Sequence, residues 1–317
     1  ELNALTANVT AFYRNKGYIL SRAVLPPQKI EGGNVTIRIV EGFVNDVVLQ
    51  GDVGTGKDAA LLKQYADKIK ASKPLNSKDL ERYLLLMEDL PGVSARALLR
   101  PAAKVTGASD VVINITRKAW EGTFTLDNRG SRYLGPFQGG ATVAYNNLFD
   151  MNDQTQLRLL NSVFEPAEMQ FGELRHEEQV GDEGTKLIAS GSYARTRPGA
   201  SLDVLNLDGW SATGTIGAAH PLLRSRQDNW FISSDFTWRD SDVQILDTTL
   251  YRDEIRTLRV GTTYDFMDKW FAVNRLEANI SKGVNWWNDN GPNSFSRSNG
   301  DTSFWKFSGK ATRIQNI

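Results

Sequence analysis

The sequence contains no cysteine, which excludes disulfide frameworks, CxxC redox sites and thiolate metal clusters together. Histidine is nearly as scarce, with His176 and His220 alone. His176-Glu177-Glu178 begins like a zinc-protease motif, but position 180 is valine. Such a site needs both histidines on one helical face, and the residues around His176 alternate like a strand. Charge of either sign is not in excess, 37 Lys and Arg against 37 Asp and Glu, so the basic surplus of a nucleic-acid protein is missing. No apolar run approaches the roughly 18 residues of a membrane helix. That excludes helical spans and leaves a β-barrel open, because half of each barrel strand faces the lumen and dilutes the signal. Glu1 leads directly into a helical pattern without a signal peptide, so a processed or cut start is expected.

Two stretches resemble catalytic motifs and fail on inspection. Gly51-Asp52-Val53-Gly54-Thr55-Gly56-Lys57-Asp58 nearly matches a phosphate-binding P-loop between a strand and a helix. Asp58 stands where a hydroxyl should meet Mg²⁺, and its charge would repel phosphate. The stretch reads as a turn and helix start. Glu173, Glu177 and Glu178 supply carboxylates for glycoside hydrolysis, but charges at a strand end are more simply wetted. No catalytic residue, metal ligand set or cofactor is predicted, and no nucleotide or nucleic-acid partner.

What is present is a change of period. Before Trp120, apolar residues recur at helical spacing between short strands. Leu2, Leu5, Val9 and Phe12 share a helical face, closed by Gly17. Strands are expected at 18–25, 35–40 and 43–50. Helices follow at 58–70 (Leu62, Tyr65, Ile69 aligned) and 77–89 (Leu80, Tyr83, Leu84, Met87 aligned). Asn76 with Asp79 three residues on reads as a cap for the second helix. Strands at 93–100 and 110–116 complete a β-α-α-β-β unit. Ser21-Arg22-Ala23-Val24-Leu25-Pro26-Pro27 resembles Ala95-Arg96-Ala97-Leu98-Leu99-Arg100-Pro101, and each leads through glycine to a VxIxI strand. A repeat of this kind marks a stacked module. Its first copy lacks an opening strand and helix, so the chain is expected to begin inside a domain.

From Trp120 onward the period is 2. Trp120, Gly122, Phe124 and Leu126 alternate with Glu121, Thr123, Thr125 and Asp127. Ten such strands are expected, the later ones at 141–146, 154–164, 168–179, 185–196, 210–219, 230–239, 255–264, 270–282 and 302–313, with the fourth keeping register only to Phe171. Trp120, Phe124, Val143, Leu157, Ile232 and Leu258 fall on the apolar face; Arg158, Lys186, Arg239, Arg259 and Arg275 fall on the polar one. Connections after even-numbered strands are mostly short, with 221–229 somewhat longer, whereas 197–209, 240–254 and 283–301 are long. Aromatic residues gather at both strand ends. Sided loops and paired girdles fit an outer-membrane barrel, with Trp120, Phe124, Val143, Leu157, Ile232 and Leu258 toward lipid and the five basic residues toward the lumen. A soluble β-sandwich also alternates and remains the alternative.

These residues resemble a known family, the outer-membrane transporters of two-partner secretion, also called haemolysin activator or secretion proteins. Residues 18–42 (YILSRAVLPPQKIEGGNVTIRIVEG) are similar to the end of the family's first POTRA domain. Residues 74–101, with LERYLLLMEDLPGVSARALLRP at their centre, are similar to the middle of its second. LDNRGSRYLGPFQ at 126–138 looks like the first barrel strand and loop, and HPLLRSR at 220–226 like a later turn. The resemblance implies α+β periplasmic POTRA domains followed by an antiparallel transmembrane β-barrel, here incomplete, with about ten of some 16 strands (a count within the range of). The expected boundaries are 1–41 for part of a first POTRA, 42–118 for a second and 119–317 for the barrel portion.

The family's plug helix and the inward loop with its Val-Arg-Gly-Tyr signature are not found, since the only Arg-Gly pair is Arg129-Gly130. The implied function is capture of an unfolded exoprotein of haemolysin, haemagglutinin or adhesin type in the periplasm and its passage to the cell surface, with outer-membrane lipids as surroundings. A factor that inserts other barrels and a passive porin are the alternatives. For capture, the expected groove is the open face of the 93–100 strand, Ser94, Arg96, Leu98 and Arg100, beside Leu85. At 100° per residue Leu85 points about 140° from Leu80, outside the filled core face.

Overall fold

The computed structural model describes residues 2–29, 33–103, 105, 107–287, 295–297 and 300–315. By contacts the chain divides into Glu1–Arg117 with Arg224–Arg226, and Lys118–Leu223 with Gln227–Ile317.

The first unit begins with helix α1 (Leu2–Asn15), none of whose residues is fully buried. Two three-residue strands pair antiparallel, β1 (Arg22–Val24) and β2 (Arg38–Val40). Both are shorter than their patterns predict, because local polar bonds replace the ladder. The Gln28 amide takes both backbone groups of Thr36, at 2.8 and 2.7 Å. Ser21 is turned back onto the Tyr18 carbonyl at 3.1 Å.

The larger module follows as β3 (Phe43–Gly51), α2 (Gly56–Ala71), α3 (Ser77–Glu88), β4 (Val93–Pro101) and β5 (Ala108–Arg117). Its sheet order is β3-β5-β4, with β3 parallel and β4 antiparallel to the central β5. Leu61, Leu62, Tyr65, Ala66 and Ile69 recur at helical spacing on α2 and are buried against Val111, Ile113 and Ile115 of β5. On α3 the buried face is Leu80, Leu86 and Met87, which corrects the expected Tyr83 and Leu84; both are only partly buried against this core. The cap differs too. Asn76 accepts from the Lys78 amide at 2.9 Å, whereas Asp79 accepts from the Ser72 hydroxyl at 2.6 Å instead of reaching back.

The P-loop-like stretch is closed by a side chain. Arg117 donates to the Asp52 carbonyl (3.2 Å), the Val53 carbonyl (3.1 Å) and the Asp58 carboxylate (2.8 Å). Gly54 sits at φ +76°, and a Cβ there would meet this guanidinium at 3.0 Å. Carbonyls therefore face the loop's mouth, where a phosphate cradle requires N–H groups.

The second unit is one antiparallel sheet of ten strands in sequential order. The strands are β6 (Trp120–Asp127), β7 (Gln138–Asn146), β8 (Asp153–Ser162), β9 (Met169–Val180), β10 (Thr185–Thr196), β11 (Asp208–Arg224), β12 (Asp228–Ile245), β13 (Thr248–Met267), β14 (Val273–Gly283) and β15 (Trp305–Ile314). Three of them run well beyond expectation, with 17, 18 and 20 residues in β11, β12 and β13. A membrane crossing needs only about 9–11.

The predicted long loop 240–254 is in fact mostly ladder, Asp240↔Glu254 through Ile245↔Thr248. Its turn is Leu246-Asp247, both at positive φ (48° and 61°), the geometry that suits a two-residue hairpin. Charged side chains disguised these strands as loop, but they pair along and across the ladder: Asp242 with Arg252 at 3.8 Å, and Asp240 with Arg256. The expected lapse after Phe171 is absent as well, since β9 pairs continuously with β8 and β10. Phe171 broke the pattern because it lies on the polar face, where Arg158 stacks over its ring at 5.6 Å. The expected start of the 270–282 strand is a turn, in which Asp268 accepts from the Trp270 and Ala272 amides at 2.9 and 3.2 Å. Of the expected loop 283–301, residues 288–294 and 298–299 lie outside the described residues.

Short connections have their own internal braces. Asp153 is fully buried and its carboxylate accepts from the backbone amides of Leu148, Phe149 and Met151 at 3.2, 3.0 and 3.3 Å. Those bonds hold the β7–β8 turn, where Asn147, Asp150 and Asn152 all have positive φ.

Candidate functional site

Helix α3 exists because a capped start is followed by Leu80, Leu84 and Met87 spaced to face one way. Strand β4 is an edge: among the described residues it pairs only with β5, Val93↔Arg117 through Pro101↔Ser109. Between α3 and β4 lies a depression of about 450 Å³, lined by Leu80, Leu84 and Leu85 on the helix and Ala95, Arg96 and Ala97 on the strand. The two alanines make it possible, since a larger side chain on β4 would fill it. Charges rim the apolar floor. Glu81, Glu88 and Arg226 also line it, and the Arg226 amide donates to Glu81 Oε1 at 2.8 Å. Arg224, two residues away, forks onto Asp89 at the end of α3 with 2.7 and 2.8 Å bonds, a bidentate geometry that fixes orientation.

Of the sequence-derived groove residues, Leu85 and Arg96 line this depression, while Ser94, Leu98 and Arg100 do not. Those three are exposed on the same face of β4 as Arg96, with Leu98 at 52%. Periodicity assigns Ala97, Leu84 and Leu80 to the core; Leu80 is buried there and the other two are partly buried against it, and all three also form the wall and floor of the depression. Nothing in the sequence near α3 points to Arg226, which lies more than a hundred residues further on; only contacts reveal it.

On the ten-stranded sheet, register sorts the remaining candidates into two faces. Gly122, Val143 and Leu157 are laterally aligned, as are Phe124 and Ala141. Trp120 (65% exposed), Phe124 (74%), Val143, Leu157, Ile232 and Leu258 all lie on this face and all remain exposed. The five basic residues lie on the other face, each held by a neighbour. Lys186 meets Glu177 at 3.4 Å and Arg239 meets Thr213 at 3.2 Å. Arg259 meets Ser281 at 3.4 Å, and Arg275 forks onto Asp265 at 2.6 and 2.9 Å. Arg158 covers Phe171.

The remaining decoys resolve into the same ladder. His176 bonds Thr155 at 2.9 Å on β8, and His220 bonds Thr185 at 2.9 Å on β10. Glu177 is shared by Arg175 and Lys186.

Comparison with known proteins places this geometry. The family model described as "Haemolysin secretion/activation protein ShlB/FhaC/HecB" matches residues 107–317, and that of the "POTRA domain, ShlB-type" matches residues 1–42. The heme/hemopexin transporter protein HuxB of Haemophilus influenzae (strain 86-028NP) is 26% identical over 303 residues, 90% of this chain and 51% of its own length. The outer membrane transporter CdiB of Dickeya dadantii is 25% identical over 252 residues, 78% of this chain and 38% of its own. In fold, CdiB from Escherichia coli superposes with a TM-score of 0.76 at 21% identity, covering all of this chain and 59% of that one. CdiB from Acinetobacter baumannii gives 0.61 at 19%, covering 89% and 53%. The chain thus spans about half the length of the relatives it matches. A family model that matches everything from the last strand of the first unit to Ile317 decides the assignment: the chain belongs to the haemolysin secretion/activation protein family ShlB/FhaC/HecB.

Proposed function

We propose that this chain is part of an outer-membrane translocator that takes an unfolded secreted protein in the periplasm and passes it through a β-barrel to the cell surface. Residues 1–41 are the end of one POTRA domain, 42–118 a second POTRA domain, and 119–317 a portion of the barrel. The observation that carries the reading is the depression between α3 and the edge strand β4. An edge strand offers unpaired backbone groups to an extended segment, and the adjoining apolar floor takes an alternate side chain of that segment. Arg96 sits on this edge and Leu85 on the floor, while Ser94, Leu98 and Arg100 extend the same strand face. The family's transporters, named for haemolysin, heme/hemopexin and CdiB systems, support a secreted protein as partner. They give no support to an enzyme.

On the sheet, Trp120, Phe124, Val143, Leu157, Ile232 and Leu258 face outer-membrane lipid, and Arg158, Lys186, Arg239, Arg259 and Arg275 face the lumen. The strand ends with short turns lie on the periplasmic side.

The test uses the full-length protein with its own secreted partner. A photoreactive residue at Arg96 should crosslink the partner in wild type. Leu85→Asp and Leu98→Pro should each abolish that crosslink and lower secretion at least tenfold, with the barrel still inserted. Undiminished secretion by an inserted Leu85→Asp protein would rule out this groove as the capture site.

A further inference from the structure

The apolar face of the β10–β11 hairpin ends in an unusual cluster. Register places Tyr193 beside Ala212 and Arg195 beside Trp210, so these four side chains share a face with Leu187 and Ile216, which are 46% and 54% exposed. One step further out, Asp208 takes both guanidinia. Arg195 donates through Nε at 3.0 Å and Nη2 at 2.6 Å, and Arg197 donates through Nε at 3.0 Å with its Nη2 2.8 Å from the same carboxylate. Immediately below, the rings of Tyr193 and Trp210 stack with centroids 6.4 Å apart and planes at 17°. One carboxylate against two guanidinia leaves a net positive charge. Each guanidinium has about five N–H donors, and only part of them is used by Asp208.

The other end of the same hairpin face differs. There Thr185 and His220 bond each other at 2.9 Å. Between the two ends the strand runs about 33 Å at 3.3 Å per residue, or about 23 Å of height at a tilt near 45°. That height matches the apolar band of a membrane barrel, about 25 Å. The arginines therefore stand where lipid headgroups begin, directly above an aromatic pair of the kind that sits at that level.

We propose that Arg195 and Arg197 bind the phosphate of a lipid headgroup in the leaflet that the long loops face. Planar guanidinia match phosphate oxygens two by two. Asp208 competes with the phosphate for the donors of both guanidinia, and the Tyr193–Trp210 pair packs against the lipid's uncharged part. The occupant is a membrane lipid rather than a soluble anion, because the site opens on the apolar face. The inference rests on the reading of that face as lipid-facing and of the long-loop end as external.

The experiment uses purified full-length protein in a neutral detergent, with melting followed as each probe is added. The probes are a phosphorylated acyl-glycolipid, its dephosphorylated counterpart and inorganic phosphate. The phosphorylated lipid alone should raise the melting temperature of wild type, and Arg195→Gln/Arg197→Gln should weaken its binding at least tenfold. Arg197→Gln, which lies beyond the last residue of β10, serves if the double variant does not fold. Asp208→Asn breaks the ion pairs but keeps the cations, so lipid binding should persist or tighten. The proposal falls if the arginine variants bind like wild type, if the dephosphorylated lipid or inorganic phosphate acts equally well, or if Asp208→Asn abolishes binding. Labelling of a cysteine at Ser201 on whole cells tests sidedness separately; its failure would overturn the assignment to the external leaflet while leaving the lipid site in detergent intact.

Discussion

The two units of this chain bury opposite kinds of side chain. In the first, the interior includes Val44, Leu62, Tyr65, Ile69, Leu75, Met87 and Ile113, all with 1% exposure or less, and the buried polar groups among the described residues are Ser21 and Asp58. In the second, the buried apolar side chains are Ala144 and Ala272, while Asn146, Asp153, Gln179, Asp242, Arg256 and Asn274 are buried among the described residues. Large apolar side chains of that unit lie open instead, Phe124 at 74% and Phe307 at 73%. A water-soluble domain closes its apolar groups inward. A sheet with the reverse distribution gains from burial only in an apolar solvent, and its backbone must be satisfied strand to strand. Both units follow one rule, and the surroundings decide its sign.

Breaking this contrast at its strongest point means removing one apolar side chain from each unit. Leu62→Ala should cost the first unit about 2–5 kcal/mol, the range for emptying a packed core site. Phe124→Ala, at a 74% exposed position, empties no packed site, so the second unit should lose far less. Denaturant melts that resolve the two units check this, and equal losses would contradict the contrast.

Charge sharpens the comparison within the sheet. Leu258→Arg should destabilise the membrane-inserted protein by about 2–4 kcal/mol if it lies at the midplane. Ser192→Arg, on the other face and opposite Glu173, should cost little. Folding titrations into lipid vesicles measure both, and equal costs would favour a sheet buried on two sides.

The smallest effect concerns the surface of the first unit. Lys70 bonds Asp46 at 2.9 Å and holds its carboxyl below the usual 3.8. A carboxyl lowered in the folded state stabilises above its unfolded value and loses that contribution as pH falls through the folded one. Wild type should therefore be slightly more stable than Asp46→Asn near neutral pH. The gap should close below pH about 3.8, and it should shrink with added salt because both groups are exposed.

Much of this architecture was legible before any coordinates. Period 2 from Trp120 on reveals ten strands, because successive side chains of a strand must alternate and an apolar solvent preserves that alternation. The β10 boundaries, Thr185–Thr196, match the pattern residue for residue. Reading failed where chemistry imitates loops. Asp240, Asp242, Arg252 and Glu254 look like a wetted connection, and only cross-strand pairing with neighbours ten or more residues away shows them to be ladder. It failed again on α3, where four leucines and a methionine crowd one helix and periodicity cannot choose between two adjacent faces. Packing against α2 and β5 buried Leu86 and left Leu84 and Leu85 at the groove.

The sequence by itself determined the class of each region: helices with one apolar face, then strands with one apolar face, and no chemistry for catalysis by cysteine or a paired-histidine metal site. Local periodicity records which side of an element is apolar, and that is enough to tell a helix–sheet module from a barrel-type sheet. The tertiary structure decided what periodicity cannot encode. It made β4 an edge, since strand order β3-β5-β4 is set by packing. It brought Arg226 to the rim of the groove and Arg197 to Asp208, because contacts between distant residues depend on how the chain returns on itself, which no local pattern contains.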